Sequence, residues 1–365
     1  MTGTFSRRRL TLARRRRGLT KGALASEIGV IPRMISAYES GEKKPGHLNL
    51  ARLSDRLHFP VEFFYGPDLE EPPLDALSFR ALTTMTAAQR NQAHSSATFA
   101  QALSDWIDER FTLPQADVPR LRGVDPETAA IAVRSEWGLG ESPISNMTHL
   151  LEAHGIRVFS LVEECREVDA FSYWRGAIPY LFLNTVKTAE HSRMDASHEL
   201  GHLVLHHWRE GPHGRDAEKE AHAFGSAFLM PYDDLVASTP RTANINELIH
   251  AKHRWNVSLA NLVYRMHQQQ MLSDWHYRSL FIEIRRKYRT SEPEAMRPEK
   301  SQVFEKVFQS LRHDGMTKAD VARELLITPD ELEKMIFGLV LMPVDGSTEA
   351  EEGPRSGERP QLKLV

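Results

Sequence analysis

Apolar residues recur at helical spacing through most of this chain, and short apolar runs of strand length gather in one stretch, between residues 156 and 183. A basic helix is predicted over residues 6–16, with Leu10 and Ala13 on its buried side. Thr20 can cap a second helix in which Leu24, Ala25 and Ile28 repeat, ended by Gly29. Pro32 suits the first turn of a third, which runs through Ile35 and Tyr38 and stops at Gly41. A long helix over 78–111 offers the stripe Phe99, Leu103, Trp106, Ile107 and Phe111, which reads as an interdomain or dimer strut. Helices at 126–137 and 144–154 follow, the second ended by Gly155, then the strands 156–161, 170–174 and 179–183, bounded by Gly176, Pro179 and Asn184. Beyond an apolar helix-like run around Ser197–His202 comes an amphipathic helix from Glu218, halted by Pro231. Residues 244–290 continue helical, with Leu248, Trp255, Val257, Leu262, Val263, Tyr264 and Met266 as core. The pattern is that of a multidomain, mainly α chain with one small sheet.

Composition narrows this picture. A chain of 365 residues, 41% hydrophobic and 26% charged, has room for two or three globular domains. No run approaches the length of a membrane span, and the Arg-rich start lacks an apolar signal core, so the expected location is the cytoplasm without membrane attachment. Cys165 is the single cysteine, which excludes an intrachain disulfide and a cysteine zinc cage. The net charge of -3 hides an asymmetry: Arg7, Arg8, Arg9, Arg14, Arg15, Arg16, Arg17 and Lys21 precede the first acidic residue, Glu27. Such a basic start suggests phosphate contacts.

Two short helices joined through Gly29 form a helix-turn-helix, whose second helix enters the major groove of DNA. The order of Leu19-Thr20, Leu24-Ala25, Gly29-Val30, then Ile35-Ser36, Glu39 and Gly41 resembles the XRE (Cro/cI-like) repressor domain, from about Phe5 to Gly66. That resemblance implies an operator in double-stranded DNA and a homodimer, with Arg33, Ser36 and Met34 facing bases and Arg15, Lys43 and Lys44 near phosphates. Ile31 departs from the Ser or Thr cap usual there.

His198-Glu199-Leu200-Gly201-His202 puts two imidazoles one helical turn apart on one face, with a carboxylate beside them. A zinc peptidase needs three protein ligands and an open fourth position. His206 lies about 12 Å along the axis from His198, too far to share an ion with both, and reads as a helix-end residue. The third ligand is better sought at Glu218, with Glu220 and His222 as alternatives; Glu218 and Glu220 point about 160° apart on a regular helix. A strand ending Leu181-Phe182-Leu183-Asn184, then Arg193 and His-Glu-Leu-Gly-His-Leu-Val-Leu-His, then Glu218, Ala221, Phe224, Phe228-Leu229-Met230-Pro231, resembles the ImmA/IrrE zinc metallopeptidases over roughly 125–290. The resemblance implies bound zinc (Zn2+), gluzincin-like chemistry and transcriptional repressors as protein substrates. His198, His202 and Glu218 would hold the metal and Glu199 would be the catalytic base. Arg193 would position substrate or the helix, and Tyr173, Tyr180 and Tyr232 are candidate oxyanion donors.

Gly315-Met316-Thr317-Lys318 through Leu325 repeats the spacing of Gly18 through Ile28, and Pro329 falls where Pro32 does. Its second helix carries Asp330, Glu331 and Glu333, which would repel phosphates, so it reads as a packing or partner-binding module. The expected layout is a DNA-binding domain at 1–66, linker and strut at 67–120, a zincin-like α+β domain at 121–290, a helix-turn-helix-like module at 301–340 and a disordered tail at 341–365. Two functions fit: a DNA-bound regulator whose zinc domain cleaves a repressor or similar protein, or a transcription factor whose zincin-like domain senses a ligand without proteolysis.

Overall fold

The computed structural model describes residues 3–73, 86–161, 170–206, 214–240, 244–289, 291–336, 338–340 and 362. Cys165, the first part of the helix expected at 78–111, and the tail from 341 other than Leu362 lie outside them. The chain divides into two compact units, one made by Met1–Leu113, Phe159–Val168 and Gln302–Lys363, the other by Pro114–Val158 and Asp169–Ser301 with Leu364–Val365.

In the first unit, α1 (Arg7–Arg16), α2 (Lys21–Ile28), α3 (Pro32–Ser40) and α4 (His47–Leu57) are followed by a 3-10 turn at Val61–Tyr65. Thr20 caps α2 by accepting from Ala23 N at 3.1 Å, and Gly29 ends it at φ 72°, where a Cβ would be strained. Leu10, Ala13, Leu24, Ile28, Ile35, Tyr38, Leu53 and Phe63 form the buried side. The stripe of α5 (Ala87–Asp108) packs on α1 and on α16 (Pro329–Ile336). Its residues from Ala93 to Ala100 are buried without a break, so α5 is a core helix of this unit where the sequence suggests a strut.

The C-terminal helices α14 (Gln302–His313), α15 (Lys318–Glu324) and α16 follow one another in the order and with lengths close to those of α1, α2 and α3. Thr317 caps α15 as Thr20 caps α2, and Leu326 takes the left-handed conformation (φ 58°) that Gly29 takes. One acid of this module faces inward: Glu331, fully buried, pairs with Arg16 and, at 2.9 Å, with Arg17, while Asp330 stays exposed. Glu331 stands at the position equivalent to Met34 in the first helix-turn-helix.

The second unit holds α6 (Pro126–Glu136), α7 (Met147–Ala153), β1 (Arg157–Ser160), β2 (Ala170–Arg175), β3 (Ile178–Leu183), α8 (Ala189–Leu205), α9 (Arg215–Leu229), α10 (Tyr232–Ser238), α11 (Ile245–Lys252), α12 (Leu259–Gln268) and α13 (Asp274–Lys287), β1 reaching two residues past its boundary. The sheet order is β1-β3-β2, and β2 pairs with β3 antiparallel with Ser172 opposite Leu181. Ring pairs Phe171–Phe182 and Tyr173–Tyr180, at 4.4 and 5.2 Å between centroids, stiffen that hairpin. α8 crosses the sheet beside β2, with α9 packed along it and α6 against α9.

Candidate metal centre and nucleic-acid interface

Helix α8 starts at Thr188, whose side chain accepts from His191 N at 3.3 Å. It is pinned by Arg193, a fully buried guanidinium whose Nε donates to Trp255 O at 3.1 Å and whose other arms reach Glu299 and the carbonyl of Ile144. Arg193 thus steadies the helix, one of the two roles expected of it.

Two interior glycines let α9 approach α8 backbone to backbone. A Cβ on Gly201 would lie 3.1 Å from Ala221 Cα and O, and one on Gly225 only 2.9 Å from His198 N. Glycine within a helix costs about 1 kcal/mol against alanine, so close approach is what justifies both. Sequence reading left them aside, although an interior glycine is a signal of this kind.

That approach brings the expected ligands together. His198 Nε2 and His202 Nε2 are 3.1 Å apart, and the Glu218 carboxylate lies 3.2 Å from the first and 3.4 Å from the second. Two ligands bound about 2.0–2.1 Å from one tetrahedral zinc sit roughly 3.3 Å apart, so these three atoms have the spacing of three corners around such an ion. Glu199 belongs to the wider cluster, since His198, Glu199 and His202 each offer a ligand atom within 4.8 Å of the others. Glu218 is the better third corner, because its oxygens face both Nε2 atoms at ligand spacing. Burial raises the Glu218 carboxyl, but hydrogen bonds and charge from His198 and His202 outweigh it and bring it down to about 2.

Glu199 is held from the sheet. Ser172 Oγ on β2 donates to Glu199 Oε2 at 2.7 Å, a contact the sequence reading missed because serine at a strand position carries no spacing signal. The other expected residues lie elsewhere or play other parts. His222 turns its ring toward Tyr264, 5.1 Å between centroids, while Glu220 bonds His206 Nε2 at 2.9 Å. Tyr173 and Tyr180 are buried against each other in the hairpin; Tyr232, at the start of α10, is exposed. His206 closes α8 as its C-cap, and its Nδ1 lies 2.9 Å from His202 Nδ1. Burial pushes the His206 ring below its usual value despite the Glu220 bond.

In the first unit, α3 presents Arg33 to solvent with Met34 and Ser36 half-buried beside it, and Lys43 and Lys44 are exposed just beyond. Pro32 occupies the first turn and Ile31 gives no side-chain cap. Arg15 is half-exposed and 3.5 Å from Glu71. Much of the basic start is tied up within the unit: exposed Arg7 donates to Ser40 O at 2.6 Å, Arg9 to Pro67 O at 2.6 Å, Arg14 pairs with Glu39 at 2.6 Å, and Arg16 and Arg17 meet Glu331.

Fold and sites together define a two-part protein, a helix-turn-helix module in one chain with a zincin-like helix pair. The comparisons agree: residues 10–64 match the helix-turn-helix family model, and residues 151–267 match a peptidase family model described as IrrE N-terminal-like domain. No curated protein matches the chain. Among the described residues no helix is long and apolar enough to cross a membrane.

Proposed function

We propose that this chain is a DNA-binding transcriptional regulator, acting in the cytoplasm as a homodimer, whose second unit is a zinc-dependent endopeptidase that cleaves a repressor or another regulatory protein. One observation carries the reading: His198 Nε2, His202 Nε2 and the Glu218 carboxylate converge within 3.1–3.4 Å while Ser172 fixes Glu199 beside them. Bound zinc supplies Lewis acidity there, polarising a scissile carbonyl and acidifying a water. His198, His202 and Glu218 would hold the ion. Glu199 accepts the proton of the attacking water and passes it to the leaving amine, and Ser172 keeps that carboxylate aimed. The DNA-reading residues are Arg33, Met34 and Ser36 on α3, with Arg15, Lys43 and Lys44 meeting phosphates, and the reading unit extends over residues 1–66.

The test is cleavage of a repressor encoded beside this chain by the zinc-loaded protein. Cleavage by wild type and none by Glu199→Gln supports a peptidase. Equal cleavage by the variant sinks it, and regulation in cells that survives Glu199→Gln but not Arg33→Ala favours ligand sensing without proteolysis.

A further inference from the structure

The contacts of His206 set a direction of hydrogen bonding that the three-ligand description does not use. If His202 Nε2 faces the ion, as the proposed zinc site requires, its proton must sit on Nδ1. That N–H points at His206 Nδ1, 2.9 Å away, which must then be the acceptor. His206 therefore carries its own proton on Nε2, and Nε2 lies 2.9 Å from Glu220 Oε2. One tautomer assignment satisfies all three groups, running His202 Nδ1–H to His206 and His206 Nε2–H to Glu220. Both histidines have little exposure, so solvent competes weakly for these bonds. His198 has no comparable side-chain partner at Nδ1 among the described residues.

Helix geometry explains how two carboxylates on α9 can both serve α8. Glu218 and Glu220 diverge around α9, as the sequence predicts, so they cannot share an ion. α8 meets them at two levels: the facing Nε2 atoms of His198 and His202 take Glu218, and His206, one turn further and turned back as the C-cap, takes Glu220.

We propose that His206 and Glu220 are positioning residues for the metal centre: together they fix the tautomer and ring orientation of His202 and increase the basicity of its Nε2. This inference rests on the zinc reading above. A carboxylate acting on a ligand imidazole through a hydrogen bond is a known way to tighten a metal site, and its loss commonly weakens metal binding 10–100-fold.

The test measures zinc affinity of the full chain by competition with a chromophoric chelator, alongside the visible spectrum of the cobalt-substituted protein. His206→Ala should bind zinc roughly 10–100-fold more weakly and alter the cobalt bands, while the metal-free protein keeps its helical circular dichroism. Glu220→Gln, a nearly isosteric change at a partly exposed residue, should weaken binding in the same direction and serves if His206→Ala does not fold. His206→Gln should recover most of the affinity, because an amide can accept from His202 and donate to Glu220. Affinity within twofold of wild type for both His206→Ala and Glu220→Gln overturns the proposal, as does an equal loss for His206→Gln and His206→Ala. A wild-type protein that takes up no zinc overturns the metal reading and this inference with it; zinc-binding wild type with unaffected variants overturns this inference alone.

Discussion

Gly225→Ala tests the packing that assembles the proposed metal centre without touching any of its proposed ligands. The added Cβ would stand 2.9 Å from His198 N, where ordinary contact begins near 3.4 Å, so α9 must retreat by roughly 0.5 Å or tilt. The obstacle is backbone inside α8, which cannot swing aside as a side-chain end would. Glu218 lies seven residues before Gly225, about 20° short of two full turns, so it rides on the same face and moves with it. Metal–ligand distances tolerate only about 0.2 Å, and a shift more than twice that size should cost at least about tenfold in zinc affinity, roughly 1.4 kcal/mol. Fold stability should fall by about 0–2 kcal/mol. Overpacking costs about 1–3 kcal/mol, and replacing glycine inside a helix returns about 0.8–1 kcal/mol. The assay pairs chelator competition with thermal unfolding in excess EDTA. Gly22→Ala, whose Cβ would meet only Thr20 Oγ1 at 3.9 Å, is the control and should leave zinc binding unchanged. Wild-type zinc affinity in Gly225→Ala would refute the claim that this helix contact sets the position of Glu218.

Other changes probe the first unit. Glu331→Gln strands the buried guanidiniums of Arg16 and Arg17 without a carboxylate and should cost about 3–5 kcal/mol in urea denaturation. Burial raises the Glu331 carboxyl but Arg16 and Arg17 lower it further, leaving it below its usual value. Its contribution is therefore complete above the unfolded carboxyl value of about 4.3 and lost as pH falls toward the lower folded one, so wild type should lose in acid an advantage that Glu331→Gln never has. For DNA, Arg33→Ala should cost about 1–3 kcal/mol on the operator and relax its sequence preference, whereas Lys43→Ala should weaken all sequences alike and reduce the salt slope by about 1; titrations at several salt concentrations separate the two.

The helix-turn-helix and the zinc-pattern helix were legible because their signals are local. Thr20, Gly29, Pro32 and Gly41 mark chain reversals and helix ends that depend on a few neighbours, and each stands where its chemistry predicts. His198 and His202 share a face through helix geometry alone. Side chains reaching between elements were harder to place. Ser172 meets Glu199 only because β2 lies beside α8, and Glu220 meets His206 only because two glycines bring α9 within backbone contact. Axial distance argued for His206 as a helix-end residue, and it is the C-cap of α8, but that distance does not reveal a ring turned back onto His202 Nδ1.

The arginine cluster shows why counting charge along a sequence misleads in a folded domain. Eight basic residues before the first acid read as a surface for phosphate, yet Arg9, Arg14 and Arg16 are buried and Arg7, Arg9, Arg14 and Arg17 donate to backbone carbonyls. A guanidinium suits this work because its planar fork of donors can satisfy several acceptors while its carbon stem packs on rings, as Arg9 does 4.7 Å over Phe63. The acid that answers part of this cluster, Glu331, lies more than 300 residues away in sequence, on a helix that repeats the spacing of the first helix-turn-helix with the opposite charge. The repeat and the charge reversal are readable separately; only the fold shows that the reversed copy meets Arg16 and Arg17 at the end of α1, while Arg33, Lys43 and Lys44 stay exposed on and just beyond α3.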